Sequence, residues 1–130
     1  MDNYILLVED NDDIRDTLQE ILAQEGFRVS TAVHGLAALD FLRREQPLPC
    51  LILLDLRMPV MDGFQFRLHQ LRDRRLAQIP VVVLTAANEG LEEAALLSAC
   101  GHLRKPIDLD ALLATAAAAC PSRPQHPASP

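Results

Sequence analysis

The sequence is short of positive charge, of long apolar runs and of the cysteine spacing that marks metal or redox motifs. Twelve Lys and Arg stand against eighteen Asp and Glu in 130 residues, a formal net charge of −6. Phosphate backbones are held by basic surface, so the long-range field of this chain repels nucleic acid. No apolar run approaches the roughly 20 residues that span a bilayer. The longest, such as Leu51–Leu54, are strand-length and are stopped by charge or proline. The start, Met1-Asp2-Asn3, lacks the basic stretch and apolar core of a secretory signal. Cys50, Cys100 and Cys120 are odd in number and show no Cys-x-x-Cys spacing. That reads as a reduced, cytoplasmic protein whose thiols are small apolar fillers. The five glycines are scattered, so no glycine-rich phosphate loop is present.

What is present is alternation. Nearly half the residues are apolar, 49%, enough for one core in one domain of this length. Short apolar runs at Tyr4–Val8, Phe27–Ala32, Leu51–Leu54, Val81–Leu84 and His102–Arg104 read as five strands. Between them lie amphipathic stretches. Ile14, Leu18, Ile21 and Leu22 share one face of a helix over Asp12–Glu25, which Gly26 ends. A second helix covers Leu36–Arg44. Phe64, Leu68 and Leu71 define the inner face of a third, whose outer face carries Arg67, Arg72, Arg74 and Arg75 as a solvated surface. Leu91–Leu97 forms a short fourth helix, and Leu109, Leu112, Leu113 and Ala116 mark the fifth. Strands alternating with helices imply right-handed crossovers and an open, doubly wound α/β fold with a five-stranded parallel sheet. Residues 1–120 form this domain. Pro121, Pro124, Pro127 and Pro130 make residues 121–130 a tail that continues neither helix nor sheet.

In such sheets ligands bind beyond the carboxyl ends of the strands. Those ends carry Glu9-Asp10, Asp55, Thr85 and Lys105. Three clustered carboxylates repel one another, which raises at least one pKa unless a cation is present. Mg2+ suits them, because it prefers oxygen ligands and keeps several waters. Thr85 and Lys105 are placed to hold phosphoryl oxygens, and the carboxylate of the central strand to attack phosphorus.

The stretches Ile5-Leu6-Leu7-Val8-Glu9-Asp10, Leu54-Asp55-Leu56-Arg57-Met58-Pro59-Val60-Met61-Asp62-Gly63, Leu84-Thr85-Ala86 and Lys105-Pro106 occur in order on the right strand ends. In this the chain resembles the receiver domain of two-component response regulators, over residues 3 to 119. The resemblance implies a flavodoxin-like sheet of strand order 2-1-3-4-5 with five helices. It implies that Asp55 is the phosphoacceptor and that Glu9, Asp10, Asp55 and the backbone carbonyl of Arg57 bind Mg2+. It further implies that Thr85 hydrogen-bonds the phosphoryl group, that Lys105 pairs with it, and that the bond before Pro106 is cis. The implied partners are a histidine kinase or histidine phosphotransfer protein, and a downstream protein docking on the fourth helix, fifth strand and fifth helix. The implied role is signalling, with no turnover of external substrates. A stand-alone receiver is favoured; the alternative is a module of a longer regulator or hybrid kinase.

Blander readings exist for each residue. Glu9-Asp10 would also suit a helix N-terminus. Met58-Pro59 and Asp62-Gly63 are turn chemistry, and His34, His69 and His126 lack metal-ligand spacing. Two other functions fail on specific residues. An aspartate-nucleophile phosphatase needs a proton-donating Asp two residues after the nucleophile, where Arg57 stands. A nucleotide- or flavin-binding protein needs a glycine-rich loop after the first strand, where Glu9-Asp10-Asn11-Asp12-Asp13 is acidic.

Three departures from the receiver pattern bear on output. His102 stands three residues before the lysine, where most receivers have a tyrosine or phenylalanine switch. It either turns inward toward Thr85 or sits exposed at the strand edge. Ala99-Cys100-Gly101 lacks acids, and Asp108 to Cys120 lacks Lys and Arg. That argues for a monomer or weak dimer rather than pairing by salt bridges. The stretch from Thr85 to Lys105 is about two residues shorter than in many receivers. On the fourth helix Leu96 is expected to face outward beside Ala114 and Ala118, as part of a small docking patch.

Overall fold

The central strand carries the fold. Leu51–Leu54 is apolar at four successive positions and buried at all of them, which is only possible where both faces of a sheet are covered. A computed structural model describes residues 3–45, 47–86 and 99–121. The described elements are β1(Ile5–Val8), α1(Asp12–Gln24), β2(Val29–Ala32), α2(Gly35–Arg44), β3(Leu51–Asp55), α3(Gly63–Arg72), β4(Val81–Thr85), β5(Gly101–Arg104) and α4(Leu109–Ala119). The strands form one parallel sheet in the order β2-β1-β3-β4-β5, as expected. Four helices are described. The stretch expected as a further helix, Leu91–Leu97 with Leu96, lies outside the described residues, as do Pro124, Pro127 and Pro130. Thus α4 is the helix that the sequence placed fifth.

Alternation along the strands divides the core in two. Leu6, Val8, Ile52, Leu54, Val81 and Val83 face Ala38, Leu39 and Leu42 of α2 and Phe66 of α3. Ile5, Leu7, Leu51, Leu53, Val82 and Leu84 face Leu18 and Leu22 of α1 and Leu112 and Ala116 of α4. Each helix start is capped by a side chain. Asn11 accepts from the Ile14 amide at 2.9 Å, His34 from Ala37 at 3.1 Å and Asp108 from Ala111 at 2.9 Å. At α3, Asp62 and Gln65 form a reciprocal capping box. Among the described residues, no helix is long and apolar enough to cross a membrane.

Two expectations are corrected. The first is the rotation of α3. Leu68 and Leu71, expected inside, are 54% and 43% exposed, whereas Arg67 and Gln70 are buried with Phe66 and Gly63. The reason is close contact and polar satisfaction rather than hydrophobic periodicity. A Cβ on Gly63 would lie 2.6 Å from the Asp55 carbonyl oxygen, so Gly63 must face the sheet. Gln70 then donates through Nε2 to the carbonyls of Leu76 at 2.8 Å and Ile79 at 3.2 Å, and accepts from Arg67 at 2.7 Å. Gln70 thereby ties the loop after α3 to the helix, as a donor to the buried Ile79 carbonyl and a second donor to the Leu76 carbonyl, which also accepts from the Ile79 amide at 3.1 Å.

The second correction concerns the thiols. Cys50 and Cys120 are joined as a disulfide with Cα atoms 5.6 Å apart, leaving Cys100 free and exposed.

Candidate functional site

Parallel strands β1, β3 and β4 end side by side, and their registers decide which side chains meet. Val8 pairs with Leu54, so Glu9 follows on β1 beside Asp55 on β3. Asp55 pairs with Leu84, so Thr85 comes one residue beyond it on β4. Thr85 pairs with Arg104 of β5, and the Thr85 carbonyl accepts from the Lys105 amide at 2.8 Å. The four sequence stretches thus deliver Glu9, Asp55, Thr85 and Lys105 to one edge. The Lys105–Pro106 bond is cis, as the resemblance implied.

Carboxylate oxygens of Glu9, Asp10 and Asp55 lie within 4.8 Å of one another. Glu9 and Asp55 are buried at 0% and 5% exposure, while Asp10 is exposed. The capping alternative for Asp10 falls away, because Asn11 occupies the cap of α1. Glu9 is fixed from several sides. Its Oε2 accepts from the Asn11 amide at 3.2 Å, and its backbone carbonyl accepts from Arg15 at 3.1 Å.

The Lys105 Nζ lies 3.0 Å from Glu9 Oε1 and 3.3 Å from Asp55 Oδ1, and this is the only lysine in the chain. One ammonium between two buried carboxylates leaves the pair under-compensated. Burial, then the neighbouring Glu9 charge, push the Asp55 carboxyl up to about 7, against the opposing pull of Lys105. Burial alone would lower Lys105. Its hydrogen bond to Glu9 and the charges of Asp55 and Glu9 instead hold it above its ordinary value. The Thr85 hydroxyl oxygen is buried without a hydrogen-bond partner among the described residues. A donor with nothing to donate to, in a cleft of buried carboxylates, is a place for a ligand oxygen.

The turn after β3 completes the edge. The Gly63 amide donates to the Leu56 carbonyl at 3.0 Å, and Val60 sits in the left-handed region at φ 67°. Arg57 is exposed and its guanidinium lies 5.4 Å from the centre of the Phe64 ring. That keeps the side chain on the helix side of the turn, while its carbonyl belongs to the turn itself. His102, left open by the sequence, is exposed on β5. Ala114 and Ala118 are exposed on α4 as expected, whereas their expected neighbour Leu96 lies outside the described residues.

Sequence reasoning missed a groove of about 310 Å³ next to the carboxylates, lined by Ile14, Thr17, Ile21, Lys105, Pro106 and Ile107 among others. Ile14 and Ile21 are only half-buried on α1. Their partner surface comes from the loop after β5, which helical periodicity cannot reveal.

Comparison with known proteins agrees with this geometry. A family model described as the response regulator receiver domain matches residues 5–117. The chain is 36% identical over 114 residues to sporulation initiation phosphotransferase F of Bacillus subtilis, covering 85% of this chain and 87% of that protein. It is 41% identical over 88 residues to the transcriptional regulatory protein AfsQ1 of Streptomyces coelicolor, covering 68% of this chain and 37% of that one. The chain therefore spans most of the first relative and well under half of the second. Among solved structures, chemotaxis response regulator CheY4 of Vibrio cholerae superimposes with a TM-score of 0.80 at 28% identity, over 92% of this chain and 99% of that one. The receiver domain of sensor histidine kinase PA1611 from Pseudomonas aeruginosa, whose structure has a magnesium ion coordinated in the active-site cleft, gives 0.82 at 27% identity over 94% and 100%. Receivers of this family are signalling modules of two-component systems rather than conventional enzymes. The strand order, the acidic cluster and the matched residues lead to one conclusion: this chain belongs to the response regulator receiver domain family.

Proposed function

We propose that the chain takes a phosphoryl group from a phosphohistidine of a histidine kinase or histidine phosphotransfer protein onto Asp55. The observation that carries this reading is the buried Thr85 hydroxyl, without a partner among the described residues, in the cleft that holds Asp55 and Lys105. An Asp55 carboxylate oxygen attacks phosphorus, the bond to the imidazole nitrogen breaks, and the phosphoryl oxygens gain partners the resting cleft lacks. Thr85 donates its hydroxyl to one of them. Lys105 transfers its pairing from Asp55 to the new dianion while keeping Glu9.

Mg2+ fits this donor set. Glu9, Asp10 and Asp55 bring carboxylate oxygens within 4.8 Å of one another, the Arg57 carbonyl would add a further oxygen, and positive charge there would offset the burial and Glu9 charge that raise the Asp55 carboxyl. When bound, Mg2+ supplies neutralisation of the carboxylates and of the incoming phosphoryl oxygens. A magnesium ion in the cleft of the PA1611 receiver supports the choice of metal.

The donor docks in the groove between α1 and the loop after β5, which shares Lys105 with the carboxylate cluster. The downstream protein docks on β5, α4 and the fourth helix expected from the sequence. The remaining parts of the reading are a cytoplasmic, monomeric or weakly dimeric receiver domain over residues 1–120, with residues 121–130 outside it. Incubation with acetyl phosphate, read by intact mass, tests the acceptor. Wild type gains one phosphoryl group only with Mg2+ present, and Asp55→Asn gains none. Equal incorporation in both proteins refutes the assignment.

A further inference from the structure

Cys50 and Cys120 meet at the amino-terminal edge of the sheet, the end opposite Asp55. Cys50 is the residue before β3, and its amide donates to the Tyr4 carbonyl at 2.8 Å, which ties it to the start of β1. Cys120 closes α4. Its amide donates to the Ala116 carbonyl at 2.8 Å and the residue is only 2% exposed. The two Cα atoms, 5.6 Å apart across 70 residues of sequence, are at an ordinary separation for a bridged pair.

Cys50 also has a second partner. Its Sγ lies 3.1 Å from the Tyr4 carbonyl oxygen, a position from which a thiol donates a hydrogen bond. The same backbone therefore satisfies Cys50 in the dithiol form and bridges it to Cys120 in the oxidised form.

Among the described residues, Leu112 and Ala116 are the buried members of the helix, with Leu113 and Ala119 packed partly against the same core, and an alanine-rich surface removes little apolar area from water. Between β5 and α4 opens a cleft of about 420 Å³ lined by Leu51, Val82, Gly101, His102, Thr115 and Ala119, among others. Leu51 and Ala119 are the chain neighbours of Cys50 and Cys120. A bond between the cysteines links two walls of that cleft.

We propose that Cys50 and Cys120 form a reversible redox staple, closed by a low-molecular-weight disulfide, that fixes the end of α4 and sets the width of the β5–α4 cleft. Cys50, half-buried, is the thiol reached first. Its thiolate attacks one sulfur of the small disulfide, whose S–S bond breaks, giving a mixed disulfide and one small thiolate. The Cys120 thiolate then attacks the Cys50 sulfur, and the second small thiolate leaves. Two protein thiols lose two protons and two electrons, and the small disulfide takes up both to become two thiols. The staple is independent of phosphoryl chemistry, so neither reading falls with the other.

The test uses the full chain carrying Cys100→Ser, so that only the pair is counted, with glutathione disulfide as oxidant. After oxidation under native conditions, the protein is expected to be lighter by two hydrogen atoms and to offer no thiol to alkylation on unfolding. After reduction it offers both. The oxidised form should melt roughly 5–15 °C higher and exchange its amides at 116–120 at least about tenfold more slowly. Adding Cys50→Ser or Cys120→Ser should abolish both differences. Glutathione retained on Cys50, thiols still alkylated after oxidation, or equal exchange at 116–120 in the two redox forms would overturn the proposal. Because those readouts compare two states of one chain, a serine variant that folds poorly leaves the test intact.

Discussion

Asp55 is where the cost of the site is concentrated. A carboxyl whose pKa is raised by folding, here from 3.8 to about 7, holds its proton more tightly in the native state than in the unfolded chain. Native stability drawn from the protonated form is therefore complete below 3.8 and is lost as pH rises through about 7. In metal-free solution, Asp55→Asn escapes that loss. Urea melts should show it more stable than wild type by about 1–3 kcal/mol at neutral pH, with the gap closing near pH 4. Mg2+ should narrow the gap at neutral pH by stabilising wild type. A gap unchanged by pH would contradict the burial and charge explanation. On the proposed function, Thr85 and Lys105 act on the phosphoryl group rather than on the attack. After addition of beryllofluoride, Thr85→Ala should show weakened chemical-shift changes over residues 86–104, and Lys105→Ala should show almost none. Wild-type responses in both would remove them from the switch.

At the scale of elements, the strands were legible because their apolar runs are bounded by charge and proline, and each lies within two residues of its expected span. Helix α3 was legible as a helix but not in its rotation. Phe64, Leu68 and Leu71 are the most apolar stripe in that stretch, and periodicity alone turns them inward. The close approach of Gly63 to Asp55 and the carbonyls of Leu76 and Ile79 decide otherwise, and both depend on residues far from that stripe. Gln70→Ala should therefore destabilise the fold by about 1–3 kcal/mol, because it removes a donor from each of two buried carbonyls and one acceptor from the Arg67 guanidinium. Leu68→Gln should change stability by less than about 0.5 kcal/mol. Chemical denaturation of the two variants in parallel checks this, and the reverse order would restore the apolar inner face. The Cys50–Cys120 pair was equally hidden. Seventy residues separate the two, and no local spacing rule links the entrance of a central strand to the end of the last helix.

For the whole molecule, the site was more legible than the surfaces around it. Its residues sit at strand ends, and a parallel sheet brings strand ends together whatever the helices do. Glu9, Asp10, Asp55, Thr85 and Lys105 therefore converge without any detail of packing being known. The groove beside Lys105 and the cleft beside His102 depend on how α1, α4 and the loop after β5 settle against the sheet, which is a matter of tertiary contact. The central claim is that the one acyl phosphate of this protein forms on the buried carboxylate of β3. Borohydride reduces an aspartyl phosphate to homoserine, so it marks the acceptor permanently. Treatment after exposure to a phosphohistidine donor and Mg2+, followed by peptide mapping, should place homoserine at position 55 alone and nowhere when Mg2+ is omitted. Homoserine at position 10 or at another acid, or an unmodified position 55, would contradict the account.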